Sequence, residues 1–500
     1  MSVGYKQCAV SSATIVGVEA VPVTVEVVVS NGMPGFSIVG MTDVAIQEAR
    51  ERVRAALKGC GFKMPGEKIV VNLAPGYLKK SGSGFDLPIA AGLLVATKQV
   101  PSTFINDSIM VGELSLEGKV KPVRGMLAYQ ELARTCNKAL ICGPTGEYVS
   151  DETKHCVKVA QSLQDLRSLH FEKPLDDDYC AHEIESLDFK DVGGHEQVKR
   201  ALQIAAAGNH GLLMMGPPGS GKTMLASRLP SILPPLDEKE KLESAKIYSI
   251  AGEDPSSVLM GVRPFRAPHH SATAAGLLGG GKPIRPGELS LAHNGIAFLD
   301  EIAEFRPSVL QVLRKPLEDG RIVLTRADGN VEMPARFMLV AASNPCPCGY
   351  YGNSSHECTC SASQIVNYQN RIGGPLIDRM DMCMDVWRSN FDDVVRSSGD
   401  IDSNYLRDGV LRARAFAQER ANYYCCDPNP RSTKEAVEVC HMDVDTKKFL
   451  ESMAMAHAMS GRAICSTLRV ARTIADIEER NCVTQEHVAE ALLLRLRSRE

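Results

Sequence analysis

A glycine-rich loop between an apolar run and a helical segment constrains the fold of this 500-residue chain most strongly. The loop reads Gly216-Pro217-Pro218-Gly219-Ser220-Gly221-Lys222-Thr223, which matches the G-x-x-x-x-G-K-[ST] pattern of a phosphate-binding P-loop. The apolar residues 211–215 precede it, and residues 224–229 continue as a helix. This order of strand, loop and helix predicts an α/β fold built on a parallel sheet.

The residue types in the loop predict binding of a nucleoside triphosphate with Mg²⁺. Glycines let backbone N–H groups approach phosphate oxygens, and the helix that follows directs its positive end at the same phosphates. Lys222 adds a charge for the β- and γ-phosphates, and the Thr223 hydroxyl is a Mg²⁺ ligand. Asp300 and Glu301 end a second apolar run, 295–299. We expect Asp300 to hold Mg²⁺ and Glu301 to polarise the attacking water.

Composition narrows the remaining possibilities. Apolar residues make up 44% of the chain and charged residues 23%, as in ordinary globular proteins. The chain has no apolar run of membrane-spanning length and no signal-peptide core at its start, so we expect no membrane partner and a cytoplasmic location. The net charge of −4 indicates that any nucleic-acid contact comes from local basic loops. Most of the 16 cysteines are scattered singly, which favours reduced thiols.

Residues 1–170 alternate between strand and helix patterns, including a strand at 23–29, an amphipathic helix at 43–58 and a strand at 109–115. They resemble the N-terminal domain of magnesium-chelatase-like proteins, which is related to the proteolytic domain of Lon-type proteases. In Lon the corresponding turn carries a nucleophilic serine served by a lysine. Here that position is Gly84, and no lysine can be assigned to Ser83, one residue earlier. The resemblance implies a non-proteolytic α+β domain; a displaced Ser83 nucleophile is the alternative.

An acidic segment, 171–190, reads as a solvated linker. Residues 191–390 then resemble an AAA+ ATPase core, with its P-loop and parallel sheet, and 391–500 carry helical patterns that suit an AAA+ lid. Three strings are specific: RPFRAPHH at 263–270, GGG at 279–281 and PGELSLAHNG at 286–295. By these strings the chain is identified as a member of the ComM/YifB group of magnesium-chelatase-like AAA+ ATPases. The resemblance covers essentially the whole chain and implies ATP and Mg²⁺ as cofactors.

The same resemblance implies further active-site residues. Asn344, at the end of another buried strand, corresponds to the sensor that orients the attacking water. Arg379 corresponds to the arginine finger, which would reach the γ-phosphate held by the next subunit, and Arg462 to a second sensor that contacts phosphate from the lid. A finger supplied by a neighbour requires a ring, and a homohexamer is the family expectation. The alternatives are Arg371 for the finger, and Arg469 or Arg472 for the second sensor.

Two basic segments predict contact with DNA, single-stranded or branched. Residues 321–335 form a predicted hairpin before the Asn344 strand, with a turn at Asp328-Gly329 and Arg326 near its tip. Similar hairpins project into the central pore of helicase-like AAA+ proteins. The loop 261–290 holds four cationic residues against one acid, Glu288, and such a loop could follow a phosphate backbone. Its cationic residues are Arg263, Arg266, Lys282 and Arg285. The alternative is a subunit-contact loop with ordinary surface charge.

A cysteine knuckle at 346–360 predicts a structural metal site. Cys346, Cys348, Cys358 and Cys360 give two C-x-C pairs, and four thiolates can close tetrahedrally on Zn²⁺. The polar residues between the pairs have no core of their own, and a metal would replace it. His356 could substitute for one thiolate, and a reduced, metal-free loop is the alternative.

Three functions remain compatible with the sequence. The first is an ATP-driven motor on DNA, resembling the branch-migration helicase of natural transformation and recombination. The second is a magnesium-chelatase-type remodeller of a partner protein, and the third is a Lon-like ATP-dependent protease. The N-terminal domain and the knuckle favour the first, and the absence of an assignable serine–lysine pair weakens the third.

Overall fold

The structure is a computed structural model that describes residues 6–145, 155–174, 187–326, 329–352, 356–388, 401–427, 430 and 432–495. Most of the predicted acidic segment, Asp328 of the predicted turn and knuckle residues 353–355 lie outside these ranges. Every helix in the described ranges is too short or too polar to cross a lipid bilayer.

The strands, β1 to β18 in chain order, are Lys6–Val16, Glu19–Ser30, Gly35–Val39, Lys68–Ala74, Ser108–Met110, Glu113–Leu114, Val120–Lys121, Ala139–Cys142, Val157–Val159, Leu212–Met215, Phe265–Arg266, Gly279–Gly280, Arg285–Pro286, Ile296–Leu299, Arg321–Arg326, Gly329–Pro334, Met338–Ser343 and Met382–Asp385. The helices, α1 to α19, are Val44–Gly59, Asp86–Ala96, Met126–Thr135, Asp165–Ser168, Glu196–Gly208, Lys222–Ser227, Glu238–Ala251, Ser256–Leu259, Ala274–Leu278, Glu288–Leu291, Pro307–Val312, Arg314–Asp319, Ala362–Asn370, Gly374–Ile377, Ser403–Tyr424, Thr433–Cys440, Val444–Ala456, Gly461–Ile477 and Gln485–Leu493.

The first domain is a mixed seven-stranded sheet in the order β3-β4-β2-β1-β5-β8-β9. Strand β2 buries alternate valines, from Val23 to Val29, because successive side chains point to opposite faces of a sheet. Helix α2 packs on this face so closely that a Cβ at Gly92 would lie 2.7 Å from Val27 Cγ2. The prediction of one strand over 109–115 is wrong: the chain breaks between β5 and β6 at Gly112, which packs against Val120 and Leu87.

The second domain contains a five-stranded sheet in the order β11-β14-β17-β10-β18, in which every neighbouring pair is parallel. Strand β10 is buried on both faces, with Leu212 and Met214 in one core and Leu213 and Met215 in the other. Such two-sided burial explains its continuous apolar sequence. The carboxyl ends of β10, β14 and β17 meet at one edge of the sheet, where parallel α/β folds place their ligand sites.

Helices α15 to α19 form the lid, which packs on α5 and on the residues that precede β18. Its core contains a buried charge cluster in which Arg420 binds Asp476 through two bonds of 3.1 Å. Arg472 also contacts Asp476, from Nη2 to Oδ1 at 3.1 Å. Residues before β18 hold the lid in turn, because Asp381 bonds the Ser466 hydroxyl and accepts from Arg469 at 3.4 Å. The lid thus lies against the amino-terminal edge of the five-stranded sheet.

The first domain docks on the second through α3 and α7. The buried Lys246 Nζ contacts Glu131 at 2.6 Å and Glu19 at 3.2 Å, which joins α7 to both α3 and β2. Burial alone would lower the pKa of Lys246, but these two carboxylates outweigh it and raise that pKa. The β1–β2 turn also reaches the second domain, since a Cβ at Gly17 would lie 2.5 Å from Glu332 O on β16.

Candidate active site and cysteine knuckle

The P-loop connects β10 to α6 at the carboxyl edge of the five-stranded sheet. Glycine is required at its start, because a Cβ at Gly216 would lie 2.0 Å from Val386 O. Gly219 and Gly221 adopt positive φ angles of 73° and 83°, which L side chains rarely tolerate. Within the described residues, the buried Ser220 hydroxyl has no hydrogen-bond partner. This orphaned donor inside a curled glycine loop fits a phosphate ligand.

Lys222 lies at the centre of the loop. Its Nζ donates to Gly216 O at 2.7 Å, to Pro217 O at 2.9 Å and to Asn344 Oδ1 at 3.3 Å. Burial lowers the pKa of Lys222, and the carboxylates of Asp300 and Glu301 offset part of that effect. The structure therefore joins the predicted P-loop lysine, acidic pair and sensor asparagine in one site.

The predicted Mg²⁺ ligands are in direct contact. Thr223 Oγ1 donates to Asp300 Oδ2 at 2.7 Å, and Asp300 Oδ1 accepts from Glu301 N at 2.9 Å. A hydroxyl and a carboxylate are the hard oxygen ligands that Mg²⁺ prefers, so the residues present fit this ion. Glu301 has a φ of +50° and a half-exposed side chain, whose Oε2 lies 3.7 Å from His270 Nδ1. The sequence did not predict this contact, because no spacing relates His270, in the string 263–270, to Glu301.

The two predicted phosphate-sensing arginines lie together, away from the P-loop. Arg379 Nη2 and Arg462 Nη2 each contact Glu318 Oε1 at 2.6 Å. Burial alone would raise the pKa of Glu318, but the two guanidinium groups outweigh it and lower that pKa. Arg379 precedes β18, whereas the P-loop follows the carboxyl end of the adjacent β10. One chain therefore places these arginines and its own phosphate loop at opposite edges of the sheet.

The alternative arginines have other partners. Arg371 is exposed and lies 3.7 Å from Glu304, at the edge of the acidic pair. Arg469 faces Asp381, and the buried Arg472 donates to Asn481 O at 2.8 Å besides contacting Asp476. Arg472 thus holds the lid together.

Comparison with known proteins agrees with this geometry. The family model described as magnesium chelatase, subunit ChlI, matches residues 188–394; those for subunit ChlI of Mg-chelatase and for its C-terminal region match 25–145 and 400–495. The YifB protein of Salmonella typhimurium is 40% identical over 487 residues, covering 96% of this chain and 95% of that protein. The competence protein ComM of Haemophilus influenzae is 39% identical over 495 residues, covering 97% and 96%. The chain belongs to the ComM/YifB family of magnesium-chelatase-like AAA+ proteins.

The family assignment confirms the predicted fold class. An AAA+ core with a parallel sheet and a helical lid follows a Lon-protease-like domain. Lon protease 2 of Bacillus subtilis is 28% identical over 223 residues, which cover 39% of this chain and 38% of that protease. The AAA+ family is one of ATP- and Mg²⁺-dependent ATPases, which agrees with the P-loop geometry.

The cysteine knuckle of this ComM/YifB protein brings its four sulfurs together. Cys346, Cys348, Cys358 and Cys360 have Sγ atoms within 4.8 Å of one another, with separations as short as 3.3, 3.5 and 3.7 Å. A tetrahedral Zn²⁺ with bonds of about 2.3 Å requires sulfurs about 3.8 Å apart. Backbone N–H groups also point at sulfur, from Tyr351 to Cys346 at 3.3 Å and from Cys348 to Cys360 at 3.4 Å. The donor set fits Zn²⁺. His356 instead contacts Tyr350, with ring centroids 4.1 Å apart and the ring planes tilted by 47°.

The knuckle rests directly on the P-loop. A Cβ at Gly349 would lie 2.5 Å from Pro218 Cδ, so only glycine permits this approach. Gln369 Nε2 supports the knuckle from α13 by donating to Pro345 O at 3.0 Å. The cluster and the phosphate loop thus form one continuous surface.

Two hairpins of the second domain, β12–β13 and β15–β16, contact each other. The β15–β16 hairpin pairs from Arg321 with Pro334 to Arg326 with Gly329, as predicted. At its tip, Arg326 Nη1 donates to Gly281 O at 2.8 Å, between the strands of the β12–β13 hairpin. Lys282 and Arg285 are exposed on that second hairpin.

The structure corrects the predicted charge of the 261–290 loop. Arg263 is largely buried and binds Glu240 at 2.9 Å. Arg266 binds both Glu253 and Glu288 at 2.8 Å. Glu240 and Glu253 precede the loop in sequence, so counting charges within the loop could not reveal them.

Proposed function

We propose that this protein is an ATP-hydrolysing ring motor that moves DNA, resembling the ComM-type branch-migration helicase. The contact between the two hairpin tips, Arg326 to Gly281 O at 2.8 Å, carries the proposal. It brings together the two hairpins that carry Lys282, Arg285 and Arg326, and such cationic groups can follow a phosphate backbone. One relative is named a competence protein, which agrees with a role on DNA.

We propose a role for each residue of the active site. Thr223 and Asp300 would hold Mg²⁺, which supplies charge neutralisation to the phosphates when bound. Lys222 positions the phosphates from the loop, and the Glu301 carboxylate orients the attacking water. Asn344, whose Oδ1 lies 3.3 Å from Lys222 Nζ, would help to orient that water as the sensor. Each group stabilises the transition state by position and charge.

The arginine geometry supports a ring of identical chains. Four residues of β18 separate Arg379 from the edge that carries the P-loop, which is about 13 Å at 3.3 Å per residue. Arg379 and Arg462 therefore serve the ATP of a neighbour, and repeated head-to-tail contacts of this kind close into a ring. We propose a hexamer, and Glu318 presents both arginines together at the subunit boundary.

We also propose a structural Zn²⁺ on Cys346, Cys348, Cys358 and Cys360. The thiol geometry and the N–H donors to sulfur support it. Four protein ligands leave no position for water, so these cysteines would hold the ion as a structural brace for the loop, outside the hydrolysis reaction.

The N-terminal domain is proposed to be non-proteolytic. The Ser83 hydroxyl donates to the Glu113 carboxylate, whereas Lys80 Nζ donates to the Pro75 carbonyl. A serine nucleophile of the Lon kind needs a neutral amine as its base. An anionic carboxylate partner for Ser83 favours a structural role.

The test is ATP hydrolysis with and without single-stranded and branched DNA, at 50 and 200 mM salt. We expect branched DNA to stimulate hydrolysis and salt to weaken that stimulation. The variant Lys282→Ala/Arg285→Ala should lose most of it, while Lys239→Ala, on α7, should not. Hydrolysis indifferent to DNA, with no DNA binding at low salt, would overturn the motor proposal.

A further inference from the structure

Trp387 is the only tryptophan of the chain, and it lies at the mouth of the active site. It directly follows β18, and one of its neighbours is hydrogen-bonded to β10 and the other to the P-loop. Val386 N donates to Met215 O at 2.6 Å, and Arg388 donates to Pro218 O from Nε at 3.2 Å and from Nη2 at 2.8 Å. The indole is nevertheless 46% exposed. A large aromatic ring is thus held in place and left open to solvent.

The strand order shows which end of a nucleotide would meet this ring. Asp300 follows β14 and Asn344 follows β17, and both strands lie on one side of β10. Strand β18 lies on the other side of β10. The γ-phosphate of a nucleotide bound in the loop would face Asp300 and Asn344, so its nucleoside would extend across the loop towards the end of β18.

We propose that Trp387 is the base platform of the nucleotide site, with its indole stacked on the base of the bound nucleotide. The proposal rests on the ATPase function proposed above and adds the residue that recognises the base. Arg388 clamps the backbone beside the ring, and a Cβ at Gly352 would lie 3.4 Å from Trp387 Cη2. The indole is therefore supported at one edge by the cysteine knuckle.

A stacking platform at Trp387 should increase the affinity for nucleotides without selecting one base over another. Loss of one aromatic platform weakens base binding by about 5- to 150-fold, and every base offers a π face to stack on. Trp387 therefore strengthens binding of ADP and GDP alike. An inorganic phosphate chain has no base and gains nothing from the ring.

The single tryptophan makes the test direct. In the full-length protein, excitation of Trp387 should transfer energy to ADP that carries a methylanthraniloyl group on its ribose. Affinities for ADP, GDP and tripolyphosphate are then measured by calorimetry for wild type, Trp387→Ala and Trp387→Phe. Tyr405→Ala, which removes an exposed aromatic ring on the lid helix α15, is the matched control.

We expect Trp387→Ala to weaken ADP and GDP binding by about 5- to 150-fold and to leave tripolyphosphate unchanged. Trp387→Phe keeps a stacking ring and should retain most of the affinity. Unchanged ADP affinity in Trp387→Ala, or an equal loss for tripolyphosphate, would overturn the platform while leaving the ATPase proposal intact. A wild-type protein that binds none of the three ligands would overturn both.

Discussion

Mixing two inactive variants tests whether Arg379 acts on the neighbouring subunit. Lys222→Ala removes the cation at the phosphate loop, and Arg379→Ala removes the finger, whose loss costs about 10³-fold or more in hydrolysis. Each variant alone should therefore be inactive. Because the four residues of β18 place Arg379 about 13 Å from the sheet edge that carries its own P-loop, we expect a working site to combine residues of two chains.

The expected rescue follows from counting interfaces. In a co-expressed 1:1 mixture, a site works only where an Arg379→Ala chain, with its intact P-loop, meets the intact Arg379 of a Lys222→Ala chain. Half of the sites have an intact P-loop, and half of those sites face an intact Arg379 on the neighbouring chain. About a quarter of wild-type activity should therefore return if sites act independently.

The assay is steady-state phosphate release by mixed rings purified through two different tags, one on each variant. The control mixes Arg379→Ala with the double variant Lys222→Ala/Arg379→Ala, which supplies no intact finger and should stay inactive. Doubly tagged rings with no activity above their parents would refute action between subunits.

Three further outcomes are expected. Asp476→Ala strands the buried Arg420 and Arg472 and should lower the free energy of unfolding by about 3–5 kcal/mol in chemical denaturation; the exposed Glu479→Ala should change it by about 1 kcal/mol or less, and equal effects would contradict the buried network. Glu301→Gln should slow hydrolysis by about 10²-fold or more while ATP still binds, whereas the control Glu304→Gln should not slow hydrolysis in this way. Normal turnover in Glu301→Gln would remove its assigned role. Protein purified without chelators should hold one zinc per chain by elemental analysis, and Cys358→Ser should lose it; a metal-free wild type would remove the zinc site.

Short-range patterns predicted local structure well. The helix expected at 43–58 is α1, and the hairpin expected at 321–335 is β15–β16. Both depend on contacts between residues close in sequence: an apolar stripe at helical spacing and a tight turn. The P-loop, acidic pair and sensor asparagine were also predictable as one site, since the carboxyl ends of parallel strands meet at one edge.

Contacts between distant residues could not be predicted in this way. Glu318 contacts Arg379 and Arg462 from 61 and 144 residues away, so no local pattern could pair either arginine with it. For the same reason, the ion pair between Arg266 and Glu253 could not be predicted, because Glu253 lies outside the loop 261–290. The net charge of a loop shows how basic its surface is only when the ion pairs that it makes with neighbouring elements are known.

The knuckle contacts the proposed nucleotide site at more than one point. Loss of the proposed zinc should therefore affect nucleotide binding before it affects folding. Gly349 packs on Pro218, Gly352 lies beside Trp387, and Cys346 follows two residues after Asn344. The strands and the P-loop glycines have their own core and backbone bonds, which do not depend on the sulfur cluster. Removal of zinc should therefore weaken nucleotide binding well before it unfolds the ATPase domain. Equal losses of nucleotide affinity and of folded structure during chelation would mean that the knuckle supports the whole domain.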